Sequence, residues 1–244
     1  MRAILMTAPG ALDVLQLADI PEPTISHPTQ LKVRLHAAGL NPIDTKLRTR
    51  GVFYPDALPA ILGCDGAGVV IEAGDEAQAM LGQRVAFCHG GLGGAPGNYA
   101  EYTLIDAHEA VPIPTGVSFE QAAALPLAAI TAWESLYDRA RLQAGQSVLV
   151  IGASGGVGHL AVQLAHLRGA RVFATVENAE KAAFMRDLGA DHAIIYPQDD
   201  VLETVMRLTH AQGVDIAFDA VGGARLNLAI ACTRYAGDVA TLHE

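Results

Sequence analysis

A glycine-rich turn is the part of the sequence with the clearest chemical potential. Val148–Ile151 predicts a buried strand, and His159–Leu167 predicts a helix directly after the turn. Between them, Ala153-x-Gly155-x-x-Gly158 is a variant of the G-x-G-x-x-G motif. Such a turn lets the backbone approach a pyrophosphate, which the helix N-terminus then binds. The residues predicted to bind a dinucleotide are Ala153, Ser154, Gly155, Gly156, Val157 and Gly158.

The turn has two alternative interpretations. It can be a tight structural turn only, or a nucleophile elbow, since Gly152–Gly156 also spells G-x-S-x-G. In the second case Ser154 would act with Asp219 and His243, which follow in hydrolase order. The third motif glycine has no role in a hydrolase, and a second strand follows at βαβ spacing. We therefore favour dinucleotide binding.

Composition narrows the class of protein. The chain has 244 residues, of which 51% are hydrophobic and 17% charged, and its net charge is −10. These values exclude disorder and argue against nucleic acid as a partner, because phosphate binding needs clustered Lys and Arg. Three separated cysteines predict neither a disulfide framework nor a thiolate zinc site. Without a signal peptide or a membrane-spanning stretch, the expected location is the cytoplasm.

Hydrophobic patterning predicts two regions of different architecture. Short strands separated by glycine-containing turns fill the first part, which predicts a small barrel-like domain. These strands are Arg2–Met6, Val14–Ala18, Leu31–Ala38, Gly66–Ala73, Arg84–Cys88 and Tyr99–Ile105. From Val117 to Leu142 the pattern is helical, with an interruption at Pro126 and a capping box formed by Ser118 and Gln121.

Strands and helices then alternate to the end of the chain, which predicts an α/β domain with a parallel sheet. The predicted strands are Val148–Ile151, Arg171–Val176, Ala193–Ile195, Asp215–Asp219 and Asp238–Leu242. The predicted helices are 159–167, Ala179–Leu188, Val201–Ala211 and Gly223–Arg234.

Several stretches, in this order, resemble the quinone oxidoreductase (zeta-crystallin-like) family, a zinc-independent branch of the medium-chain dehydrogenase/reductases. They are AAGLNPIDTKLR (37–48), LGCDGAGVV (62–70), GNYAEYTLI (97–105), AAALPLAAITAWESL (122–136), VLVIGASGGVG (148–158) and LGADHAI (188–194). The resemblance implies a GroES-like catalytic domain over 1–117 and a Rossmann domain over 118–244. It also implies an active site in the cleft between the two domains.

One difference from the family concerns length. Family members continue beyond the position of Glu244, with further Rossmann strands and a return into the catalytic domain. We therefore expect a C-terminally truncated form of the fold, either a fragment or a naturally short protein. The family's homodimer pairs Rossmann edge strands that this chain lacks, so the resemblance does not extend to an oligomeric state.

The resemblance also separates two chemistries, because zinc-dependent relatives bind the metal through a cysteine and a Gly-His-Glu stretch. Here Asn41 stands at the cysteine position, and Cys64 and Asp65 replace His-Glu. An amide is a poor zinc ligand, so no catalytic zinc is expected. Cys64 is expected to be a small buried residue.

On the substrate side, the resemblance implies that Asn41, Asp44 and Thr131 lie beside the nicotinamide. Asn41 would donate its amide to a developing oxyanion. The alternative is an Asn-Pro turn in which the side chain caps its own backbone. Tyr54 matches a second aromatic residue of the family's cleft, whereas Lys46 replaces a frequent tyrosine.

A further stretch, Cys88–Gly97, resembles the loop over the nicotinamide end of the cleft. Gly90 and Gly91 would let the backbone approach a planar ring and allow closure. The alternative is a flexible hairpin connection. His89 is a candidate acid or base, although solvent can protonate a hydroquinone anion.

Cofactor choice depends on three residues. Relatives that use NADPH bind its 2′-phosphate with a lysine and a tyrosine that match Lys181 and Tyr196. Glu177 stands where those relatives carry glycine or serine, and a carboxylate there favours the ribose hydroxyls of NADH. Two features favour NADPH and one favours NADH, so NADPH is the expected cofactor and NADH the alternative.

These expectations combine into a zinc-independent NAD(P)H-dependent oxidoreductase that transfers hydride to a quinone or an α,β-unsaturated carbonyl. One alternative is an enoyl-thioester or alkenal reductase of the same family. Another is a non-catalytic, crystallin-like NADPH-binding protein. The expected partner is a small-molecule substrate.

Overall fold

Contacts within the chain separate it into two units, with the division after Leu127. The computed structural model describes residues 1–242, so His243, one member of the serine-hydrolase alternative, lies outside the described residues. We call residues Met1–Leu127 unit 1 and the chain from Ala128 onward unit 2. The domain boundary that the sequence places after residue 117 stays a prediction.

Unit 1 is built mainly from antiparallel strands. A three-stranded sheet has the order β2-β1-β4, and a five-stranded sheet has the order β7-β3-β5-β6-β8. The strands are β1 (Arg2–Met6), β2 (Leu15–Asp19), β3 (Gln30–Ala38), β4 (Ala60–Ile61), β5 (Asp65–Ala73), β6 (Arg84–Cys88), β7 (Tyr102–Asp106) and β8 (Val111–Pro112). Single 3-10 turns lie at Leu12–Val14, Pro55–Ala57, Gln78–Met80 and Ala107–Glu109.

Alternating side chains of the larger sheet form the main core of unit 1. Val85 and Phe87 are buried on β6, whereas their neighbours on the same strand are half-buried. They pack with Leu31, Val33, Val70 and Ile105. This period-two pattern explains why most of these strands were predictable from the sequence.

A helix that the sequence analysis did not assign follows β3. This helix, α1 (Pro42–Arg50), has Asn41 in extended conformation before it and Pro42 at its first position. Proline suits that position because its missing N–H would have no partner in the helix. The helix ends at Gly51, whose φ of +105° an L side chain rarely adopts.

Three helical segments follow in the region that the sequence predicted to be helical. Helix α2 (Phe119–Ala123) has the predicted capping box, in which Ser118 Oγ accepts from the Gln121 N–H at 3.1 Å. Helix α3 (Pro126–Trp133) begins at the predicted interruption. A π-helical segment, Glu134–Arg139, continues from it.

Unit 2 contains a five-stranded parallel sheet with the order β11-β10-β9-β12-β13. In chain order this is 3-2-1-4-5, the arrangement of the dinucleotide-binding doubly wound fold. The strands are β9 (Ser147–Ile151), β10 (Arg171–Val176), β11 (His192–Ile195), β12 (Val214–Asp219) and β13 (Thr233–Thr241). The helices are α4 (Gly158–Leu167), α5 (Ala179–Asp187), α6 (Val201–Leu208) and α7 (Ala224–Cys232).

Both faces of the central strand β9 are buried. Val148 and Val150 belong to one hydrophobic cluster, and Leu149 and Ile151 belong to another. A strand covered on both faces has a continuous apolar sequence, as predicted. The predicted α/β fold class is therefore confirmed for this sheet. Among the described residues, no helix combines the length and apolar character needed to cross a membrane.

Three element ends differ from the sequence prediction by three residues or more, and the other ends differ by two residues at most. The strand predicted to begin at Tyr99 begins at Tyr102, and the helix predicted to end at Ala211 ends at Leu208. The last strand begins at Thr233, earlier than predicted. Element ends are the least predictable feature because hydrogen bonding, not side-chain pattern, decides them.

Candidate functional site

The glycine turn of unit 2 joins β9 to α4 with very close backbone packing. Gly152 has a φ of +74°, and Ala153 is fully buried. A Cβ atom on Gly158 would overlap the carbonyl oxygen of Gly152. Glycine is therefore required at position 158 for the helix to begin directly above the end of the strand.

The outer part of the same turn is open. Gly155 and Gly156 are exposed, and a Cβ atom on Gly156 would meet no atom within 4 Å. Helix α4 begins at Gly158, after the half-buried Val157, and its first N–H groups have no acceptor within the helix. An exposed backbone and a helix N-terminus together fit a pyrophosphate group.

Glu177, one of the residues predicted to contact a dinucleotide, forms hydrogen bonds with two others, Ser154 and Lys181. Glu177 Oε2 accepts from Ser154 Oγ at 3.0 Å and from Lys181 Nζ at 2.8 Å. The Lys181 ammonium, and then Ser154, lower the pKa of the Glu177 carboxyl below its usual value. The charges of Glu177 and Lys181 therefore already compensate each other in this structure.

A cavity of about 190 Å³ lies at the carboxyl ends of the strands of unit 2. Gly152, Glu177 and Tyr196 line it, whereas Lys181 does not. Ligands of open α/β sheets bind at this edge, where the strand order reverses. Arg225 lines the same cavity but was not predicted, because the residue belongs to no sequence motif.

The alternative nucleophile elbow receives no support from the described residues. Ser154 donates to Glu177, and the buried Asp219 accepts from the Val221 and Gly222 N–H groups at 2.9 and 3.0 Å. Asp219 therefore stabilises a backbone turn in this part of the chain.

Thr131, the third residue predicted beside the nicotinamide, is half-buried on α3 and belongs to unit 2. Its carbonyl oxygen accepts from Ser135 Oγ at 2.7 Å. Asn41 and Asp44, the other two, belong to unit 1 and contact each other.

Four residues of unit 1 form what we call the polar cluster: Asn41, Asp44, Asp65 and Tyr99. Asn41 Nδ2 donates to Asp65 Oδ2 at 2.9 Å, and the Asn41 backbone N–H donates to Asp44 Oδ2 at 2.7 Å. The Tyr99 hydroxyl donates to the same Asp44 oxygen at 2.8 Å. Asn41 thus contacts both carboxylates and is held in one orientation.

Both carboxylates of the polar cluster are buried, with 6% of Asp44 and 1% of Asp65 exposed. Burial raises the pKa of Asp65, although donors from Asn41, Leu127 and Cys88 oppose the shift. Asp44 Oδ1 is buried and has no hydrogen-bond partner within residues 1–242. Burial also raises the pKa of Tyr99, which donates to the Asp44 carboxylate.

The donor atoms around Asn41 do not fit a zinc ion. Asn41 presents an amide N–H, and both Asp65 oxygens already accept hydrogen bonds, from Asn41 and from the Leu127 N–H at 2.8 Å. In the described part of the chain, no group of three or more His, Cys, Asp or Glu side chains is placed to hold a metal ion.

The glycine-rich loop after β6 is closely packed. A Cβ atom on Gly90 would overlap the Pro96 carbonyl oxygen, and one on Gly91 would lie 2.7 Å from backbone atoms of Gly63. The buried Asn98 Nδ2 lies 2.9–3.1 Å from the carbonyl oxygens of Gly63, Cys64 and His89. Glycine is thus needed here for packing.

One predicted substrate-side residue, His89, belongs to this loop, and another, Tyr54, lies against it. His89 Nδ1 forms a hydrogen bond with Glu109 Oε1 at 2.9 Å, and its side chain is 22% exposed. Tyr54 is 61% exposed and lies beside Gly94. Neither side chain has a described hydrogen bond to the polar cluster.

Two family models match the chain. The alcohol dehydrogenase GroES-like domain matches residues 27–115, and the zinc-binding dehydrogenase model matches residues 156–242. A GroES-like domain followed by a sheet with the 3-2-1-4-5 order defines a medium-chain dehydrogenase/reductase. The predicted fold class is thus confirmed for both parts.

Similarity to curated proteins narrows this class. The chain is 36% identical over 222 residues to a quinone oxidoreductase of Pseudomonas aeruginosa, covering 91% of this chain and 66% of that protein. It is 32% identical over 241 residues to human quinone oxidoreductase, covering 98% and 72%. Bovine prostaglandin reductase-3 is 38% identical over 203 residues, covering 82% and 51%. The chain therefore belongs to the quinone oxidoreductase family of medium-chain dehydrogenase/reductases, as predicted.

A solved structure supports the same relationship. Escherichia coli quinone oxidoreductase, complexed with NADPH, has a TM-score of 0.83 and 30% identity. The match covers 98% of this chain and 72% of that chain. The chain spans less than two thirds of the Pseudomonas and bovine relatives, 66% and 51%.

The packing at the glycine turn predicts different effects for two glycine substitutions. Gly158→Ala should lower the free energy of unfolding by about 1–3 kcal/mol, because its Cβ overlaps fixed backbone. Gly156→Ala, the matched control, should change it by less than about 0.5 kcal/mol. Urea denaturation followed by circular dichroism measures both, and equal effects would contradict the packing argument.

Burial also predicts slow thiol chemistry. It raises the pKa values of Cys64 and Cys232 to about 11 and of Cys88 to about 12. Because the thiolate is the nucleophile, a chromogenic disulfide reagent at about pH 8 should label the native protein slowly, and faster as the pH approaches these values. In denaturant, all three thiols should react rapidly with the same reagent. Rapid labelling of the native protein at about pH 7 would disprove this assignment.

Proposed function

We propose that the protein is an NADPH-dependent oxidoreductase that reduces a quinone or an α,β-unsaturated carbonyl without zinc. The observation that carries the proposal is the open glycine turn between β9 and α4, at the edge where ligands of such sheets bind. Membership of the quinone oxidoreductase family and the NADPH complex of the Escherichia coli relative support it.

The proposed cofactor contacts follow the chemistry of unit 2. The backbone of Gly155 and Gly156 and the N-terminus of α4 would hold the pyrophosphate. Lys181 and Tyr196 would hold the 2′-phosphate. Glu177 opposes this choice with its negative charge and keeps NADH as the alternative cofactor.

The reaction depends on what the chain's own residues can do. A bound nicotinamide supplies the hydride, and the protein supplies orientation and polar stabilisation. Asn41 Nδ2 uses one hydrogen for Asp65, so its second hydrogen can point to a substrate carbonyl oxygen as negative charge develops. Asp65 and Asp44 act as positioning residues, since each accepts a hydrogen bond from Asn41.

The other substrate-side assignments rest on the resemblance to the family. Thr131 would contact the nicotinamide ring. Tyr54, with the loop around Gly90 and Gly91, would line the substrate. His89 is the less favoured proton donor, because its ring is already hydrogen-bonded to Glu109 and solvent can protonate the product.

The zinc-independent part of the proposal rests on the donor atoms of the polar cluster. Without a Lewis acid to polarise an alcohol oxygen, reduction of an activated carbonyl compound is favoured over alcohol dehydrogenation. The amide of Asn41 offers a neutral donor in its place. Added zinc should therefore leave turnover unchanged.

Two other functions are distinguishable by assay. An enoyl-thioester or alkenal reductase of the same family would reduce those substrates in preference to quinones, and the similarity to a protein named prostaglandin reductase-3 supports this alternative. Binding of NADPH with no turnover of either class would instead indicate the non-catalytic, crystallin-like alternative.

The test of the proposed function combines binding and turnover. Titration with NADPH and NADH, followed by reduced-nicotinamide fluorescence, should show saturable binding with tighter affinity for NADPH. Oxidation of NADPH should then occur with quinones or enals and be insensitive to chelators. Tighter NADH binding would reverse the cofactor assignment, and binding of neither would disprove the function for this chain.

The contact between Glu177 and Lys181 predicts how cofactor preference can be changed. Glu177→Gln removes a negative charge and releases Lys181, so NADPH affinity should rise about fivefold, or about 1 kcal/mol, relative to NADH. Glu180→Gln is the matched control, an exposed neighbour on α5 that should leave the ratio unchanged. An unchanged ratio in the first variant would show that Glu177 does not face the 2′ position.

A further inference from the structure

The cavity of unit 2 contains a cation that no motif assigns. Arg225 extends from the first turn of α7 and lines the cavity together with Gly152, Glu177 and Tyr196. Apolar residues, among them Val221 and Leu228, form other parts of the lining. An apolar cavity with few polar groups is typical of a nucleotide subsite.

The guanidinium of Arg225 is held in a defined position. Its carbon atom lies 4.7 Å from the centroid of the Tyr196 ring, and the residue is half-buried. A guanidinium held over an aromatic ring by a cation–π interaction keeps its planar set of N–H donors, which matches a phosphate. Within residues 1–242 no carboxylate forms an ion pair with Arg225.

The charges around the cavity make Arg225 the main source of electrostatic attraction for a phosphate. Lys181 Nζ lies 2.8 Å from Glu177 Oε2, so the two charges cancel for an approaching anion. A doubly charged phosphate beside this pair would gain little electrostatic attraction from it. Among the described residues that line the cavity, Arg225 is the only cation, and its positive charge remains available because Lys181, outside the lining, compensates Glu177.

We propose that Arg225, held over the Tyr196 ring, is the specificity-determining residue of this cavity and donates its guanidinium N–H groups to the 2′-phosphate of NADPH. The inference rests on the proposed function and adds to it a residue outside the glycine motif. It explains how the cavity accepts a phosphate beside Glu177. Tyr196 then acts as the platform that orients the guanidinium.

The test compares ligands that differ only in the 2′-phosphate. Dissociation constants of NADPH and NADH are measured by fluorescence, and those of 2′,5′-ADP and 5′-AMP by calorimetry. Arg225→Gln should weaken NADPH and 2′,5′-ADP at least tenfold, or about 1.4 kcal/mol, and change NADH and 5′-AMP less than twofold. Arg225→Lys, which keeps the charge without the planar fork, should give an intermediate loss.

Arg207→Gln is the matched control, because Arg207 lines a different cavity of the same unit. It should leave all four constants unchanged, and circular dichroism checks the folding of each variant. Equal losses for both cofactors would mean that Arg225 contacts the shared adenosine and would overturn the proposal, as would no loss in either arginine variant. Tighter binding of NADH by the unaltered protein would overturn the proposal while keeping the oxidoreductase function. Binding of neither cofactor would overturn both.

Discussion

The contact between Gly158 and the carbonyl oxygen of Gly152 is the constraint on which unit 2 depends. It brings the first turn of α4 directly above the end of β9, where any side chain at position 158 would overlap backbone. The same contact places the N-terminal dipole of the helix at the edge of the sheet. The packing of this turn and the proposed binding of a pyrophosphate therefore have a single structural cause in this unit.

Unit 1 buries two carboxylates that form no ion pair with a cation among the described residues. Asn41 contacts both acids, Tyr99 donates to Asp44, and the Leu127 N–H donates to Asp65. Neutral donors reduce the cost of burial without adding charge. The result is an amide side chain with a fixed orientation in a region of low dielectric constant.

Much of the fold was predictable because the spacing of apolar residues along the sequence distinguishes strands from helices. The continuous apolar run of β9 and the alternation in β3 correctly identified a buried and a half-buried strand. Helix α1 was missed because N-P-I-D is compatible with both a turn and a helix start. Its long-range partner, Asp65, is 24 residues away, so no local pattern could decide between them.

The candidate site was only partly predictable from the sequence. Sequence resemblance suggested Glu177, Lys181 and Tyr196 as cofactor contacts; the first two contact each other in the structure, and the role of all three stays a prediction. The sequence could not indicate Arg225, because its proposed role depends on the contact with the Tyr196 ring, which only the fold creates. A residue whose role depends on a tertiary contact is not marked by any motif of fixed spacing in the sequence.

Asn98 has a mechanical consequence for unit 1. Its amide lies within 2.9–3.1 Å of carbonyl oxygens in both the segment before Asp65 and the start of the glycine-rich loop. The loop cannot move away from this segment without breaking these hydrogen bonds in a buried environment. Asn98 bonds to the Cys64 carbonyl oxygen, and the next residue, Asp65, accepts from Asn41. A displacement of the loop would therefore be transmitted to Asn41 through the backbone of Cys64 and Asp65.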